Sequence, residues 1–226
     1  MQTLGSLAIA PTVHSAIVAR GYQPTPVPPV RSTARARAYE KDEEIFCEGD
    51  SAPYFYQVIS GAVRTSTLLV DGRRQIDAFH LPGDIFGIEI SERRRFSAEA
   101  IGAARVLAYR RCTLEALASS DTELACKVVK ALMASLKHAQ DHMVLLGRRT
   151  ALEKIATFLL DLADRAATSD KIELPMQRLD IADYLGLTIE TVSRSLTELE
   201  RRAVIGIPTS RTIELRDRAA LTRLHA

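Results

Sequence analysis

RLDIADYLGLTIETVSRSLTELERRAVI, residues 178–205, is two helical runs parted by a glycine. Gly186 stops the first run, because glycine adopts the left-handed conformation that closes a helix C-terminus without steric cost. In the second run Val192, Leu196 and Leu199 recur at helical spacing, which predicts one buried face. Its first turns instead carry Thr188, Glu190, Thr191, Ser193 and Arg194. Such a helix is anchored by its apolar tail and presents a polar nose.

The flanks complete the unit. Upstream, TALEKIATFLLDLADRA places Leu152, Ile155, Ala156, Leu159 and Leu162 on one helical side, and KIELP reads as a short strand ended by Pro175. Downstream, IGIPTSRTIEL reads as a β-hairpin with Pro208 and Ser210 in its turn. Helix, short glycine-containing turn, helix and hairpin together predict a winged helix-turn-helix over residues 147–226. In that motif the second helix enters the major groove of duplex DNA by its N-terminus. Glu190, Ser193 and Arg194 share one face of the nose, and their chemistry suits base edges. Arginine forks onto guanine O6 and N7, glutamate accepts from cytosine N4, and serine serves either partner. Thr188 is the expected N-cap, leaving backbone N–H groups near a phosphate. Glu190 is also placed to pair with Arg194 one turn on.

Ahead of this unit, residues 114–146 lack proline and glycine and read as one long helix. Val129, Leu136 and Met143 alternate with Ala125, Leu132, Ala139 and Leu146 at steps of four and three, a seam that a single helix buries against a partner helix. Homodimerisation is the expectation. Residues 39–113 change texture again. Short β-rich runs such as YFYQVI, AVRTSTLLV and QIDAFHL are separated by turns, with Gly49, Gly61, Gly72 and Gly83 at intervals of 12, 11 and 11 residues. That rhythm predicts an all-β roll. Residues 1–38, with YQPTPVPPVRSTARARAY, read as an arm, with a short helix around His14 to Arg20.

Composition narrows the function classes. The chain has 226 residues, 46% of them apolar and 26% charged, with net charge +2, so general attraction to a polyanion is not built in. From Arg148 onward there are 13 Lys/Arg against 12 Asp/Glu, so any nucleic-acid role rests on where the cations sit. No run of apolar residues is long enough to span a bilayer, and no secretory leader is evident. The expected location is cytoplasmic. Cys47, Cys112 and Cys126 are too scattered for a metal framework. A metal-dependent enzyme in a β-roll needs several converging histidines, and only His80 lies between Tyr39 and Arg111. The expectation is therefore no enzyme, no catalytic residue, no metal and no cofactor, with His138 and His142 a solvated pair on the long helix.

The array at residues 178–205, with PGDIFG (82–87) and RRTALEKIATFLL (148–160), resembles the Crp/Fnr superfamily of bacterial transcription regulators over nearly the whole chain after Tyr39. The combination of Glu190, Ser193 and Arg194 is similar to its Fnr and FixK branch. The resemblance implies an α+β chain: a β-roll like those that bind cyclic nucleotides, a long dimerisation helix, and a winged helix-turn-helix. It further implies a homodimer on a TTGAT-type inverted repeat of double-stranded DNA, with Glu190, Ser193 and Arg194 reading bases and Ile189 against a thymine methyl. RNA polymerase is then the partner recruited by surface loops.

Three departures accompany the resemblance. Gln177 stands where the family often has Ser or Thr capping the first helix of the motif. It, Arg178 and Arg211 are candidates for phosphate contacts. Ile88 splits Gly87 from Glu89 and Phe96 splits Arg95 from Ser97, interrupting the phosphate clamp that cyclic-nucleotide binders share. No cysteine precedes Cys47, which removes Fnr-type oxygen sensing. The expectation is a FixK-like activator that works without a small effector. The alternative is a regulator of the same family gated by haem, gas or a cyclic nucleotide.

Overall fold

The computed structural model of the chain describes residues 34–112, 114–148, 150–165 and 170–225. The short helix expected at His14 to Arg20 lies outside these. Eight antiparallel strands form the roll: β1 Arg35–Tyr39, β2 Glu44–Phe46, β3 Tyr54–Ser60, β4 Val63–Leu68, β5 Arg74–His80, β6 Ile85–Phe86, β7 Ser97–Ala100 and β8 Ala104–Arg110. They lie in two four-stranded sheets of order β1-β8-β3-β6 and β2-β7-β4-β5. Alternate residues of both sheets point inward, and Phe46, Tyr56, Val58, Val63, Phe86, Ala98 and Val106 fill the space between them. Gly61 makes the β3–β4 turn possible. Its φ is +77°, and a Cβ there would lie 2.4 Å from the Ala103 carbonyl oxygen. Strand β1 begins at Arg35, inside the stretch whose prolines and arginines read as arm, because it hydrogen-bonds along β8 from Arg35↔Ala108 to Tyr39↔Ala104.

The long helix is two helices, correcting the single run expected over 114–146. Helix α1 (Leu114–Ser120) ends before Asp121, and α2 runs Thr122–Arg148. The Asp121 carboxylate accepts from the Leu124 amide at 2.9 Å, so a side-chain cap restarts the helix where neither proline nor glycine marks the break. The first part of α2 packs on its own roll. Leu124, Ala125 and Val128 are buried with Leu117 and Phe55, so Ala125 is covered within the protomer. Beyond it the seam is uncovered. Leu132 is 42% exposed, Leu136 57% and Met143 67%, with Val129, Ala139 and Leu146 also exposed.

The C-terminal unit comprises α3 (Ala151–Arg165), β9 (Lys171–Glu173), α4 (Arg178–Leu185), α5 (Ile189–Arg201), β10 (Ile205–Thr209), β11 (Thr212–Leu215) and α6 (Arg218–His225). Its three strands make one small sheet of order β10-β11-β9. The hairpin turns on Ser210 and Arg211, while Pro208 sits within β10, not in the turn. Helix α6 was not foreseen. Asp217 caps it through the Ala220 amide at 2.8 Å, and Leu221 buries it against the core of the unit. That core does not stop at the module's edge. Phe79 and Ile76 of β5 belong to the same buried cluster as Phe158, Leu159, Ile181 and Tyr184, so the roll and the helix-turn-helix share a hydrophobic interface.

Candidate nucleic-acid interface

Helix α4 starts at Gln177 and ends at Gly186, whose φ of +62° is the left-handed cap that the sequence implied. Gln177 is exposed, and its backbone N–H donates to Asp180 Oδ2 at 3.1 Å. The aspartate at the third helical position thus does part of the work that a Ser or Thr cap would do. The chain then turns through Leu187 to Thr188, whose hydroxyl accepts from the Thr191 amide at 3.3 Å and caps α5 as expected. Val192, Leu196 and Leu199 are buried to 2% exposure or less, which fixes which face of α5 is left outward.

That outer face holds the expected residues. Thr188, Ile189, Glu190 and Arg194 are exposed, and Thr191 and Ser193 are half-buried at its margin. Their contacts differ from expectation in one respect: among the described residues Glu190 forms no ion pair with Arg194. Its own backbone amide, and then the Thr188 hydroxyl, hold its carboxylate below the usual range, with Arg194 a lesser contributor. The Arg194 guanidinium leans instead toward the Thr191 hydroxyl at 3.5 Å. The carboxylate is drawn to the helix N-terminus, where the backbone dipole favours negative charge.

Arg178, at the start of α4, donates from Nη1 to Ser193 Oγ at 3.3 Å. A cation on the first helix therefore touches a base-reading candidate on the second. Arg211 is exposed at the hairpin tip, its backbone N–H bonded to the Thr209 hydroxyl. Arg201 and Arg202 both pair with Glu198, whose carboxylate they hold down to about 2, so the far end of α5 is electrically quiet.

In the roll, a cavity of about 670 Å³ lies between the segment around Gly87–Phe96 and residues Ala131, Leu132 and Ser135 of α2. Arg93, Arg94 and Arg95 all line it, and Arg94 is the buried one. Arg94 donates from Nη1 to the Gly87 carbonyl at 2.7 Å and from Nη2 to the Tyr54 carbonyl, and lies 3.9 Å over the Phe46 ring. Glu89 accepts from the Arg95 amide at 3.2 Å. Glu89 and Arg94 are thus turned to the protein's own backbone, while the exposed Arg95 guanidinium lies 5.5 Å over the Phe96 ring at the cavity wall. His80 is stacked on Phe86 with ring centroids 4.9 Å apart and bonded to Thr65. His138 and His142, expected to be solvated, pack on Tyr184 of α4: His142 Nε2 is 2.9 Å from the Tyr184 carbonyl, and the Tyr184 hydroxyl is 3.0 Å from His138 Nε2.

A roll, a long helix and a capped α4–turn–α5 with an exposed N-terminal face point to one group of proteins. Family models for the Crp-like helix-turn-helix domain and the cyclic nucleotide-binding domain match residues 153–224 and 36–121. The nitrogen fixation regulation protein FixK of Azorhizobium caulinodans is 49% identical over 204 residues, 88% of this chain and 82% of that one. FixK of Rhizobium meliloti is 40% identical, covering 87% of this chain and 90% of its own. The chain belongs to the FixK branch of the Crp/Fnr family. The solved structure of FixK2 from Bradyrhizobium japonicum is 50% identical with a TM-score of 0.80, covering 85% of this chain and 98% of that one. This FixK-type chain is thus a transcription regulator with a Crp-like DNA-binding domain, and the relatives named are regulators, not enzymes. Among the described residues no helix is long and apolar enough to cross a membrane.

Sequence reasoning missed the polar groups that join α4 to the roll, chiefly Arg64, Arg74 and Asp180. Their only local trace was an aspartate three residues after a poorly capping glutamine.

Proposed function

We propose that this FixK-type regulator works in the cytoplasm as a homodimer on a TTGAT-type inverted repeat, mostly as an activator that recruits RNA polymerase through surface loops. One observation carries the reading: Glu190, Ser193 and Arg194 lie at the outward margin of a capped, tail-anchored α5. Glu190 and Arg194 read bases, Ser193 reads from the margin, and Ile189 meets a thymine methyl. Thr188, Thr191, Gln177, Arg178 and Arg211 hold the backbone phosphates. The uncovered seam of α2, from Val129 to Leu146, pairs two protomers and sets two α5 noses about 34–36 Å apart, one turn of duplex. No small effector is needed in this reading: Ile88 and Phe96 interrupt the phosphate clamp, and Arg94 is spent on the roll's own carbonyls.

The test is fluorescence anisotropy with a TTGAT inverted-repeat duplex and a scrambled duplex, with sedimentation of the ligand-free protein alongside. Dimers that prefer the repeat by about a thousandfold or more support the reading. Equal affinity for both duplexes, or specific binding only after adding a cyclic nucleotide, overturns it.

A further inference from the structure

Helix α4 is tied to the roll by charged groups far apart in sequence. Arg64 on β4 donates from Nη1 to Asp180 Oδ1 at 3.3 Å, and both side chains are nearly fully buried. The same guanidinium is held within the roll by Glu99 at 2.8 Å and Asp42 at 3.1 Å. It is therefore oriented before α4 arrives. Arg74 on β5 meets Asp180 at 2.7 Å and Asp183 at 2.8 Å, two carboxylates three residues apart on one face of α4. The far end of the helix is fastened too. Gln75 Nε2 donates to the Tyr184 carbonyl at 3.3 Å, and Lys154 Nζ donates to the Leu185 carbonyl at 3.1 Å.

A buried ion pair contributes little net stability compared with apolar packing, since desolvation cancels much of the attraction. The shared core of Phe79, Phe158 and Tyr184 already holds the two units together. What the arginines add is direction, because a planar guanidinium donates to carboxylates along fixed lines. Asp180 also receives the Gln177 amide, so the atom group that fixes the helix start is the one gripped by the roll. From α4 the orientation passes through the Gly186 turn and the Arg178–Ser193 bond to α5.

We infer that Arg64 and Arg74 are positioning residues for DNA reading: by gripping Asp180 and Asp183 they fix the angle at which the roll presents α5, and hence the half-site spacing a dimer accepts. This rests on the homodimer reading above. Neither arginine touches DNA. Both act through α4.

The experiment uses the full-length protein and measures anisotropy on four duplexes: the inverted repeat, the same repeat with its centre lengthened by one and by two base pairs, and a single half-site. The variants are Arg74→Gln, which is only partly buried, and Arg64→Lys, which keeps the charge and loses the fork. The expected result is a fall of at least about fivefold in the preference for the native spacing, with half-site affinity unchanged within about twofold. A lower melting temperature with undiminished spacing preference in both variants would make the contacts mere packing and overturn the inference. Tighter binding to every duplex would make them a restraint that holds α5 off DNA, and would overturn it as well. A wild-type protein indifferent to spacing defeats the homodimer reading along with this one, whereas a selective wild type with equally selective variants defeats this one alone.

Discussion

Arg178 stood in the sequence as a phosphate contact, and the structure gives it a second task that a double-mutant cycle measures. Its Nη1 donates to Ser193 Oγ at 3.3 Å. With one lone pair engaged, the Ser193 hydroxyl is directed to spend its proton outward, so in the proposed complex it would read base-edge acceptors. A hydrogen bond from a charged group contributes about 1.5–3 kcal/mol, and this one is long and half-exposed, which sets its coupling near 1 kcal/mol, or about fivefold. Ser193→Ala should therefore cost about 1 kcal/mol at one base pair of each half-site. Arg178→Ala should cost about 2 kcal/mol, roughly half of it confined to that same base pair and half uniform across sequences. The double variant should fall short of the sum by about 1 kcal/mol. Anisotropy against the repeat and against duplexes altered at single positions supplies the cycle, and a salt series supplies the phosphate count, since one lost contact lowers the slope by about 0.9. Additivity within about 0.3 kcal/mol, with an Arg178→Ala loss equal on all sequences, refutes the coupling and returns Arg178 to a pure phosphate ligand.

Arg194→Ala should cost about 1–3 kcal/mol on the repeat and relax discrimination at a single base pair, and a loss equal on all duplexes would remove Arg194 from base reading. Thr188→Ala removes the hydroxyl that caps α5 and should lower unfolding stability by about 1 kcal/mol, read from a urea midpoint. Leu136→Lys, on the 57% exposed centre of the α2 seam, should give monomers in sedimentation that bind a half-site normally and lose the advantage of the repeat. His80 provides a pH test. Burial lowers its pKa from 6.5 to about 4, against an attractive Asp84 and with Arg165 and His138 adding to the depression. The unfolded chain therefore binds the proton first. The stabilisation is fully present above pH 6.5 and is lost as pH falls toward 4, by about 2 kcal/mol between pH 6.5 and 5. His80→Gln should flatten that limb of the pH–stability curve, and an unchanged limb would show that His80 is not its source.

The reading unit was legible because its determinants are local. Gly186 announces a helix stop, Thr188 a cap, and Val192, Leu196 and Leu199 a buried face, all within fifteen residues, and the structure realises each. Four features were not legible, for distinct reasons. The break at Asp121 falls in Ser119-Ser120-Asp121-Thr122, residues that favour caps over helix interiors, but the apolar periodicity on either side runs straight through that sign. Strand β1 begins at Arg35, where arginines and alanines carry little β signal, and it forms because β8 offers an unpaired edge. Helix α6 is short, and its strongest local sign is the Asp217 cap. His138 and His142 looked solvated because a helix surface is usually wet, but α4 lies against them. That contact spans more than forty residues and leaves no period to read.

The placement of charge from Arg148 onward bears on how a nearly neutral domain would present a basic face to DNA. Its carboxylates are not spread evenly. Asp180 and Asp183 are turned into the roll, against Arg64 and Arg74. Glu198 is occupied by Arg201 and Arg202 at the end of α5 away from the nose. Asp161 faces Arg165 on α3, and Asp164 meets Arg218. On α4, α5 and the hairpin tip the balance differs: Arg178, Arg194 and Arg211 make no ion pair among the described residues, and Glu190 bonds its own helix N-terminus. Neutrality of the whole limits indiscriminate attraction to polyanions, and segregation of the parts leaves cations where a duplex would lie. The inter-module ion pairs therefore do two things at once. They hold α4 against the roll, and they draw two carboxylates away from the surface proposed to face DNA. Replacing Asp183 by asparagine should for that reason leave the salt slope of DNA binding unchanged, whereas moving a carboxylate to the nose, as in Thr191→Asp, should weaken binding to every sequence.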